Sequence, residues 1–167
     1  MGYIRDFRLK RRYKNVKFYN ASLTEVQDDV SIGEGTRIGT FTLIQGNAKI
    51  GKNCTIGSFC NICSGVEIGD NVSIQTACHI TKGVKIASNS FIGPGVITLN
   101  DKYMDDHITP PTIASKTRIG GGTVILPDVH IGSGVIVGSG SIVTRNLDDN
   151  EIVYGNPARS KDIKTHG

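Results

Sequence analysis

Isoleucine recurs along most of the chain at a spacing of six residues, and this spacing decides the predicted fold. Eleven consecutive members of the series are Ile, from Ile32 to Ile92. The register extends back to Val26 and, after a break, resumes from Ile113 to Val143. An α-helix has about 3.6 residues per turn and an ordinary strand alternates every second residue. The pattern therefore indicates a structure built from many short repeats.

Two further positions of each six-residue unit, or hexad, are restricted. The residue two before the Ile is small or β-branched. The residue after it is often glycine, which adopts backbone conformations that other residues resist; examples are Gly33, Gly39, Gly120 and Gly138. Each hexad is therefore interpreted as a short strand and a tight bend, with the large aliphatic side chain pointing inward.

Three of the four cysteines fall at the small inward position, namely Cys54, Cys60 and Cys78. We expect them to be core thiols, because free cysteine behaves as a small apolar residue. Cys60 and Cys63 have the CxxC spacing of redox and zinc sites. One of them is predicted inward and the other at a bend, so neither a redox role nor a metal site is expected.

These repeats resemble those of the hexapeptide-repeat family, whose members fold as a left-handed parallel β-helix. The resemblance implies an all-β fold in which three hexads close one triangular coil of 18 residues. Six coils are predicted, four up to Ile92 and two from Ile113. A single domain is expected, with a basic N-terminal arm (1–24), coils (25–98), an excursion loop (99–110), coils (111–146) and a C-terminal segment (147–167).

The excursion loop is the largest break in the repeat, since Thr98 and Ile113 are 15 residues apart instead of six. Long loops that interrupt a regular array are usually functional, although a tolerated surface insertion is the alternative. Outside the loop, His79 precedes an inward Ile and should point outward, one coil below Ile97. It either meets Asn100 or Asp101 across a subunit boundary or simply lies on a flat face that another subunit covers. His130 also points outward and is interpreted as structural.

The segment from Ile92 resembles the nucleotide-sugar N-acetyltransferases of this family, which acetylate a sugar amine with acetyl-CoA. Those enzymes carry an Ile-Gly-Pro turn and then Thr-Asn-Asp-Lys-Tyr-Pro-Arg. Here the turn is followed by Thr98, Leu99 and then Asn-Asp-Lys-Tyr, with Met104 and Asp105 in place of Pro and Arg. The resemblance implies that the sugar amine is oriented by Asn100 and Asp101, that Asp101 or His79 accepts its proton, and that Tyr103 and His107 bind the substrate.

Two later segments imply where the acetyl-CoA co-substrate would lie. Residues 119–127 resemble the coil along which pantetheine runs in the family, with Gly120 and Gly121 on it and Gly138 and Ser139 one coil further on. Ordinary turn chemistry is the alternative reading of these glycines. Residues 154–159, Tyr-Gly-Asn-Pro-Ala-Arg, are close to the family's terminal motif near the CoA adenine. The resemblance assigns cofactor contacts to Pro157 and Arg159.

Composition narrows the compartment and the partners. Of the 167 residues 38% are hydrophobic, with no apolar run long enough to cross a membrane, and the N-terminal residues lack the apolar region of a secretory signal. A cytoplasmic location is therefore expected.

Charge is distributed unevenly along the chain. Residues 1–17 contain seven basic residues and one acidic residue, Asp6, which gives them a net charge of +6. Because the whole chain has a net charge of +4, the remainder carries −2. A basic arm binds nucleic acid or anionic lipid in some proteins. Solvation or subunit packing is the simpler interpretation, and no nucleic-acid partner is expected.

Exposed apolar positions predict self-association, and the family resemblance implies a homotrimer with sites between neighbouring prisms. The positions are Phe41, Leu43, Phe59, Phe91 and Ile97.

Three alternatives to an amino-sugar N-acetyltransferase remain. One is an O-acyltransferase of serine, maltose or lipid A precursor type, which would need a strong His base. The second is a non-catalytic scaffold. The third, a γ-type carbonic anhydrase, needs three zinc-binding His, and the close His pair of that family is absent here.

Overall fold

The computed structural model describes residues 2–105 and 107–160, with side chains from residue 7 onward. Nearly all strands are two residues long and are separated by four-residue bends, as the hexads predict. They stack in three parallel sheets, which form the faces of a triangular prism. The structure confirms the predicted all-β parallel β-helix.

The three faces are named A, B and C. Face A consists of the strands Lys17–Phe18, Arg37–Ile38, Thr55–Ile56, Ser73–Ile74, Phe91–Ile92, Arg118–Ile119, Ile136–Val137, Ile152–Tyr154 and Arg159–Ser160. Face B consists of the strands Glu25–Val26, Leu43–Ile44, Asn61–Ile62, His79–Ile80, Ile97–Thr98, Val124–Ile125 and Ile142–Val143. Face C consists of the strands Ser31–Ile32, Lys49–Ile50, Glu67–Ile68, Lys85–Ile86, Thr112–Ile113 and His130–Ile131.

Register along each face follows the 18-residue coil. Ile74 pairs with Ile56 below it and Ile92 above it. The excursion loop adds nine residues without disturbing the stack, since Lys85 pairs with Thr112. The prism is longer than the six predicted coils. Strands at Lys17–Phe18 and at Ile152–Tyr154 extend face A at its two ends.

The interior is a ladder of isoleucines with small residues beside it. The inward Ile side chains are buried from Ile38 onward, Ile32 is partly buried, and Cys54, Cys60 and Cys78 are buried beside them. Inward hydroxyls and thiols donate hydrogen bonds to carbonyls of the next coil, as Thr36 Oγ1 does to Gly51 O at 2.9 Å and Cys54 Sγ to Gly69 O at 3.1 Å. Among the described residues, no buried side-chain nitrogen or oxygen lacks a hydrogen-bond partner. Burial raises the pKa of the Cys54 thiol, which fits the prediction of core thiols.

Both ends of the prism are closed by segments outside the regular repeat. The helix α1 (Gly2–Arg12) precedes the first coil, and a short 3-10 helix spans Ala21–Leu23. Leu9 and Tyr13 are buried in a small cluster with Ala21, and Tyr13 Oη donates to Val30 O at 2.8 Å. No helix was predicted within the basic arm. The apolar spacing from Leu9 to Tyr13 covers only one helical turn, and most of the residues around it are charged.

At the other end, an ion pair ties the last coil to the terminal hairpin. Arg145 Nη2 lies 2.6 Å from Glu151 Oε1, and the Ser160 hydroxyl donates to the same carboxylate. The hydrogen bonds from Arg145 lower the pKa of Glu151 to about 2. The strand Arg159–Ser160 then pairs antiparallel with Ile152–Tyr154, which ends the parallel ladder.

Replacing one rung of the isoleucine ladder should destabilise the prism far more than replacing an outward isoleucine. We expect Ile74→Ala to lower the free energy of unfolding by about 2–5 kcal/mol, because the side chain is fully buried. Ile136→Ala, on the outer side of the same face and 41% exposed, should lower it by less than about 1 kcal/mol. Urea denaturation of both variants measures the difference, and equal losses would contradict the inward register.

Candidate functional site on face B

The outward side chains of face B change character halfway along the prism. From the N-terminal end they are Glu25, Leu43, Asn61, His79, Ile97, Val124 and Ile142. The lower half is mainly polar, and the coils above His79 present only aliphatic side chains. His79 lies at the boundary, directly below Ile97 in register as predicted. By contrast, face C carries an exposed ladder in which Glu67 pairs with Lys49 and Lys85 at 3.7 Å.

His79 is half-buried and belongs to a chain of polar contacts. Its Nε2 lies 3.9 Å from Cys63 Sγ, and this sulfur lies 4.0 Å from Asn61 Oδ1. Gln45 Nε2 donates to the same Asn61 oxygen at 3.3 Å. Burial raises the pKa of the Cys63 thiol, so this sulfur is protonated at neutral pH. The chain of contacts restrains the imidazole on the surface of face B.

The excursion loop leaves the prism at the corner between faces B and C. Asn100 Nδ2 donates to Lys82 O at 3.1 Å, one coil below, and Thr109 N donates to Asn100 O at 2.7 Å. Asp101 Oδ1 accepts the backbone N–H groups of Tyr103 at 3.1 Å and Met104 at 2.7 Å. These bonds give Asp101 a part in shaping the loop.

A small pocket of about 220 Å³ forms between the loop and the next coil. Its lining residues are Lys102, Tyr103, His107, Thr109 and Asp128. The predicted substrate-binding residues Tyr103 and His107 therefore share one cavity. Asp128 was not predicted, although its place was available from the sequence, because it lies 18 residues after the end of the loop at Pro110. Its N–H donates to Thr109 O at 2.8 Å.

The glycines predicted to contact CoA lie at the opposite corner, between faces A and B. For Gly120 the coil stack itself requires glycine, since a Cβ there would lie 2.4 Å from Ser139 N. The same holds for Gly138, where an added Cβ would lie 2.8 Å from the Cβ of Tyr154. Close stacking of the coils is therefore sufficient to require glycine at these two positions. Gly121 and Ser139 instead stand at the tips of their bends.

One column of bend tips at this corner distinguishes the lower coils from the upper ones. All its members have positive φ, in the order Phe41, Phe59, Ala77, Gly95, Gly122 and Gly140. The two Phe rings stack at 5.2 Å and are more than half exposed. No atom lies within 4 Å of a Cβ built on Gly140. The upper coils therefore form an open shelf at this corner, which we name the glycine ledge (Gly121, Gly122, Ser139 and Gly140).

The terminal motif lies beside the glycine ledge. Ala158 is buried and its N–H donates to Ile142 O at 2.8 Å, while Gly155 N donates to Ser141 Oγ at 3.1 Å. Pro157 and Arg159 are exposed, and Arg159 Nη1 donates only to the neighbouring Ala158 O at 3.1 Å within the part of the chain described. The motif closes the last coil and places a guanidinium at the top of the ledge corner.

Face B thus lies between the two predicted half-sites, with the glycine ledge along one corner, the excursion loop at the other and His79 on the strand between. Asn100 and His79 have different partners, Lys82 and Cys63 respectively. His130 is on face C, where it hydrogen-bonds Thr112 at 2.7 Å. Of the predicted interface residues, Leu43 and Ile97 lie on face B, Phe41 and Phe59 on its ledge corner, and Phe91 on face A.

No three His, Cys, Asp or Glu side chains in residues 2–105 and 107–160 are grouped so as to hold a metal ion. Within the same ranges no helix is long and apolar enough to cross a membrane.

Sequence comparison assigns the family. Residues 29–64, 47–80, 65–100 and 110–145 match the model of the bacterial transferase hexapeptide family, described as six repeats. These segments cover more than half of the chain, so the chain belongs to the bacterial hexapeptide-repeat transferases. A galactoside O-acetyltransferase of Lactococcus lactis is 35% identical over 60 residues, which are 32% of this chain and 29% of that protein. The matches to curated relatives span only 25% to 29% of those proteins' length.

Solved structures agree on the fold. AntD, an N-acyltransferase from Bacillus cereus determined with dTDP-4-amino-4,6-dideoxyglucose and coenzyme A, aligns with a TM-score of 0.64 and 22% identity over 93% of this chain and 86% of that chain. A hexapeptide-repeat acetyltransferase of Vibrio cholerae, complexed with acetyl-CoA, aligns with a TM-score of 0.62 and 23% identity over 68% of this chain and 69% of that one.

Thiol labelling tests the surface around His79. Cys63 is half-buried whereas the other three cysteines are buried. We expect a thiol reagent at mildly alkaline pH to label only Cys63 in the native protein, slowly because burial raises its pKa. Mass spectrometry of digested samples identifies the labelled site, and Cys63→Ser serves as the control that removes native labelling. Labelling of Cys54 or Cys78 at the same rate in the folded protein would contradict the arrangement.

Proposed function

We propose that this protein is an acetyl-CoA-dependent N-acetyltransferase that acts on the amino group of a nucleotide-linked amino sugar, for cell-surface polysaccharide synthesis. The observation that carries the proposal is the position of the two half-sites on either side of face B. The glycine ledge and the excursion loop are the segments that resemble the donor and acceptor sites of the sugar N-acetyltransferases, and His79 lies on the face that separates them.

The chemistry requires little from the protein. A neutral sugar amine attacks the thioester carbon, and the CoA thiolate leaves and takes up a proton. Holding amine and thioester in contact supplies much of the rate. A base removes the proton that the nitrogen acquires during the attack. The roles to be filled are therefore orientation of the amine, a proton acceptor and a hydrogen-bond donor to the developing oxyanion.

Asn100 suits the orienting role. Its Nδ2 is held by the Lys82 carbonyl at 3.1 Å, which leaves Oδ1 to accept a hydrogen from the sugar amine. His79 is the candidate proton acceptor, because the contact with Cys63 restrains its ring on face B. Asp101 was predicted to share the orienting and proton-accepting roles. Its hydrogen bonds to Tyr103 and Met104 favour a contribution through the shape of the loop.

The glycine ledge suits the thin pantetheine arm. Small residues let a ligand approach the backbone, and Gly140 faces open space. Arg159, exposed at the top of the same corner, suits a phosphate of CoA. Support for this donor comes from the AntD and Vibrio cholerae structures, which contain CoA and acetyl-CoA.

The loop pocket suits the acceptor. The Tyr103 ring offers a surface on which a sugar or base stacks, and Lys102 lies with its Nζ 5.5 Å from that ring. Met104 and Asp105 replace the Pro and Arg of the related motif, so the loop has no arginine. Lys102 is therefore the residue that we assign to the nucleotide phosphates. AntD, whose structure contains a dTDP-linked amino sugar, supports an acceptor of this class.

We further propose that the protein acts as a cytoplasmic homotrimer. The aliphatic upper half of face B, with Ile97 39% exposed, would be covered by the neighbouring prism. The acetyl transfer site would then lie between two subunits, as in the related family.

Thiol release from acetyl-CoA, measured against a panel of UDP- and dTDP-linked 3- and 4-amino sugars, tests the proposal. We expect turnover with one of them and a loss of at least tenfold in kcat/KM for Asn100→Ala, because the amine loses its orientation. His130→Asn on face C is the matched control and should keep full activity. No turnover with any amino sugar, together with no rise in Tm on adding CoA, would contradict the proposal.

An O-acetyltransferase is the second candidate, favoured by the match to the Lactococcus lactis galactoside O-acetyltransferase. A hydroxyl must lose its proton during the attack and therefore depends strongly on a base. His79→Asn separates the two: a loss of several orders of magnitude in kcat favours a hydroxyl acceptor, and a modest loss favours an amine.

A further inference from the structure

The N-terminal end of the prism carries a basic surface that acetyl transfer does not use. Residues 1–17 have a net charge of +6, whereas the rest of the chain carries −2. Within the described side chains, Arg8, Lys10, Arg11 and Lys14 are exposed on or directly after α1. The positive charge is therefore concentrated at one blunt end of the molecule, far along the prism axis from the glycine ledge.

Only part of this charge has a structural role. Arg12 lies 3.5 Å from Asp28 Oδ1, donates to Val30 O at 3.4 Å and stacks over the Tyr13 ring. Arg8 and Arg11 have no carboxylate partner within the part of the chain that the structure describes. Both line a groove of about 840 Å³ between α1 and the bend at Asp28.

An exposed aromatic side chain lies among these arginines. Phe7 is 68% exposed and lines the same groove. The helix is anchored by Leu9 and Tyr13 instead, so Phe7 is not needed to dock it. A helix that combines exposed arginines with an exposed aromatic side chain is typical of interfacial membrane helices.

We infer that α1 binds the surface of an anionic lipid bilayer. The guanidinium groups of Arg8 and Arg11 bind headgroup phosphates, and Phe7 enters the boundary between headgroups and acyl chains. The apolar component favours a bilayer over nucleic acid, whose backbone offers phosphate but no hydrocarbon. The net negative remainder of the chain orients the basic end toward the membrane. If three prisms assemble about a threefold axis parallel to their length, all three helices meet one flat surface.

Sedimentation with lipid vesicles tests this inference on the full-length protein. We expect binding to vesicles that contain one third phosphatidylglycerol and no binding to pure phosphatidylcholine. Each basic residue near an anionic surface changes partitioning by about fivefold, so Arg8→Glu/Arg11→Glu should reduce it at least about 25-fold. Phe7→Ser should also weaken it, without changing the charge. The matched control, Lys116→Glu/Arg118→Glu, makes the same charge change on bends and strands away from α1 and should keep binding.

Equal binding by the Arg8→Glu/Arg11→Glu variant and the control, or equal binding to neutral vesicles, would overturn the inference. So would displacement from the vesicles by dTDP or by RNA at concentrations that saturate a solution site, since the groove would then serve a soluble phosphate ligand. If charge reversal lowers the Tm, Phe7→Ser and Arg8→Gln/Arg11→Gln replace it. Acetyl transfer measured in solution should be unchanged in all of these variants, so the inference and the proposed function are tested separately.

Discussion

The constraint on which the structure depends is parallel pairing of each strand with the strand one coil away. Isolated two-residue strands have almost no stability, and here each gains it from its neighbours above and below, as Ile74 does from Ile56 and Ile92. Because the side chains of a strand alternate between its two sides, one residue of each pair must be aliphatic and inward. The large inward side chains are aliphatic in nearly every coil, with Thr98 an exception, and most of the variation is found at outward positions and bend tips.

That constraint determines where a site can form. Face B is distinguished by its outward residues, which change from a polar set around His79 to an aliphatic set beginning at Ile97. The corners differ in the same way. Between faces A and B, bend tips with the same backbone conformation carry Phe at 41 and 59 but Gly at 122 and 140. The excursion loop is accommodated because Lys85 and Thr112 still pair across it.

The fold was predictable because the hexad pattern specifies both strand and bend, and the 18-residue period specifies the stacking. The place of His79 below Ile97 followed from counting alone. The helix α1 was not predicted, because its docking depends on two buried residues, Leu9 and Tyr13, among many charges. The glycine ledge was predicted in part. The sequence pointed to Gly121 and Ser139, which belong to the ledge, and to Gly120 and Gly138, which the coil stack requires. The open positions Gly122 and Gly140 are apparent only from which bend tips face solvent.

The contact between His79 and Cys63 was also beyond prediction, since the two lie 16 residues apart at adjacent but not equivalent positions of neighbouring coils. Asp128 was missed for a different reason: its height on the prism followed from the 18-residue period, but its share in the loop pocket depends on how the loop folds back. These contacts are set by the loop and by corner geometry, which the repeat does not encode.

The measurement that tests the central claim most directly is the affinity of CoA for Gly140→Phe, determined by calorimetry. Phe41 and Phe59 show that this column of bend tips accepts Phe at positive φ, and Gly140 faces open space, so the fold should be retained. Gly65→Phe is the matched control, because Gly65 also has positive φ and open surroundings but lies on the other corner of face B. If the ledge holds the donor, Gly140→Phe weakens CoA binding at least tenfold and Gly65→Phe leaves it unchanged. Unchanged CoA affinity in a folded Gly140→Phe variant would contradict the account.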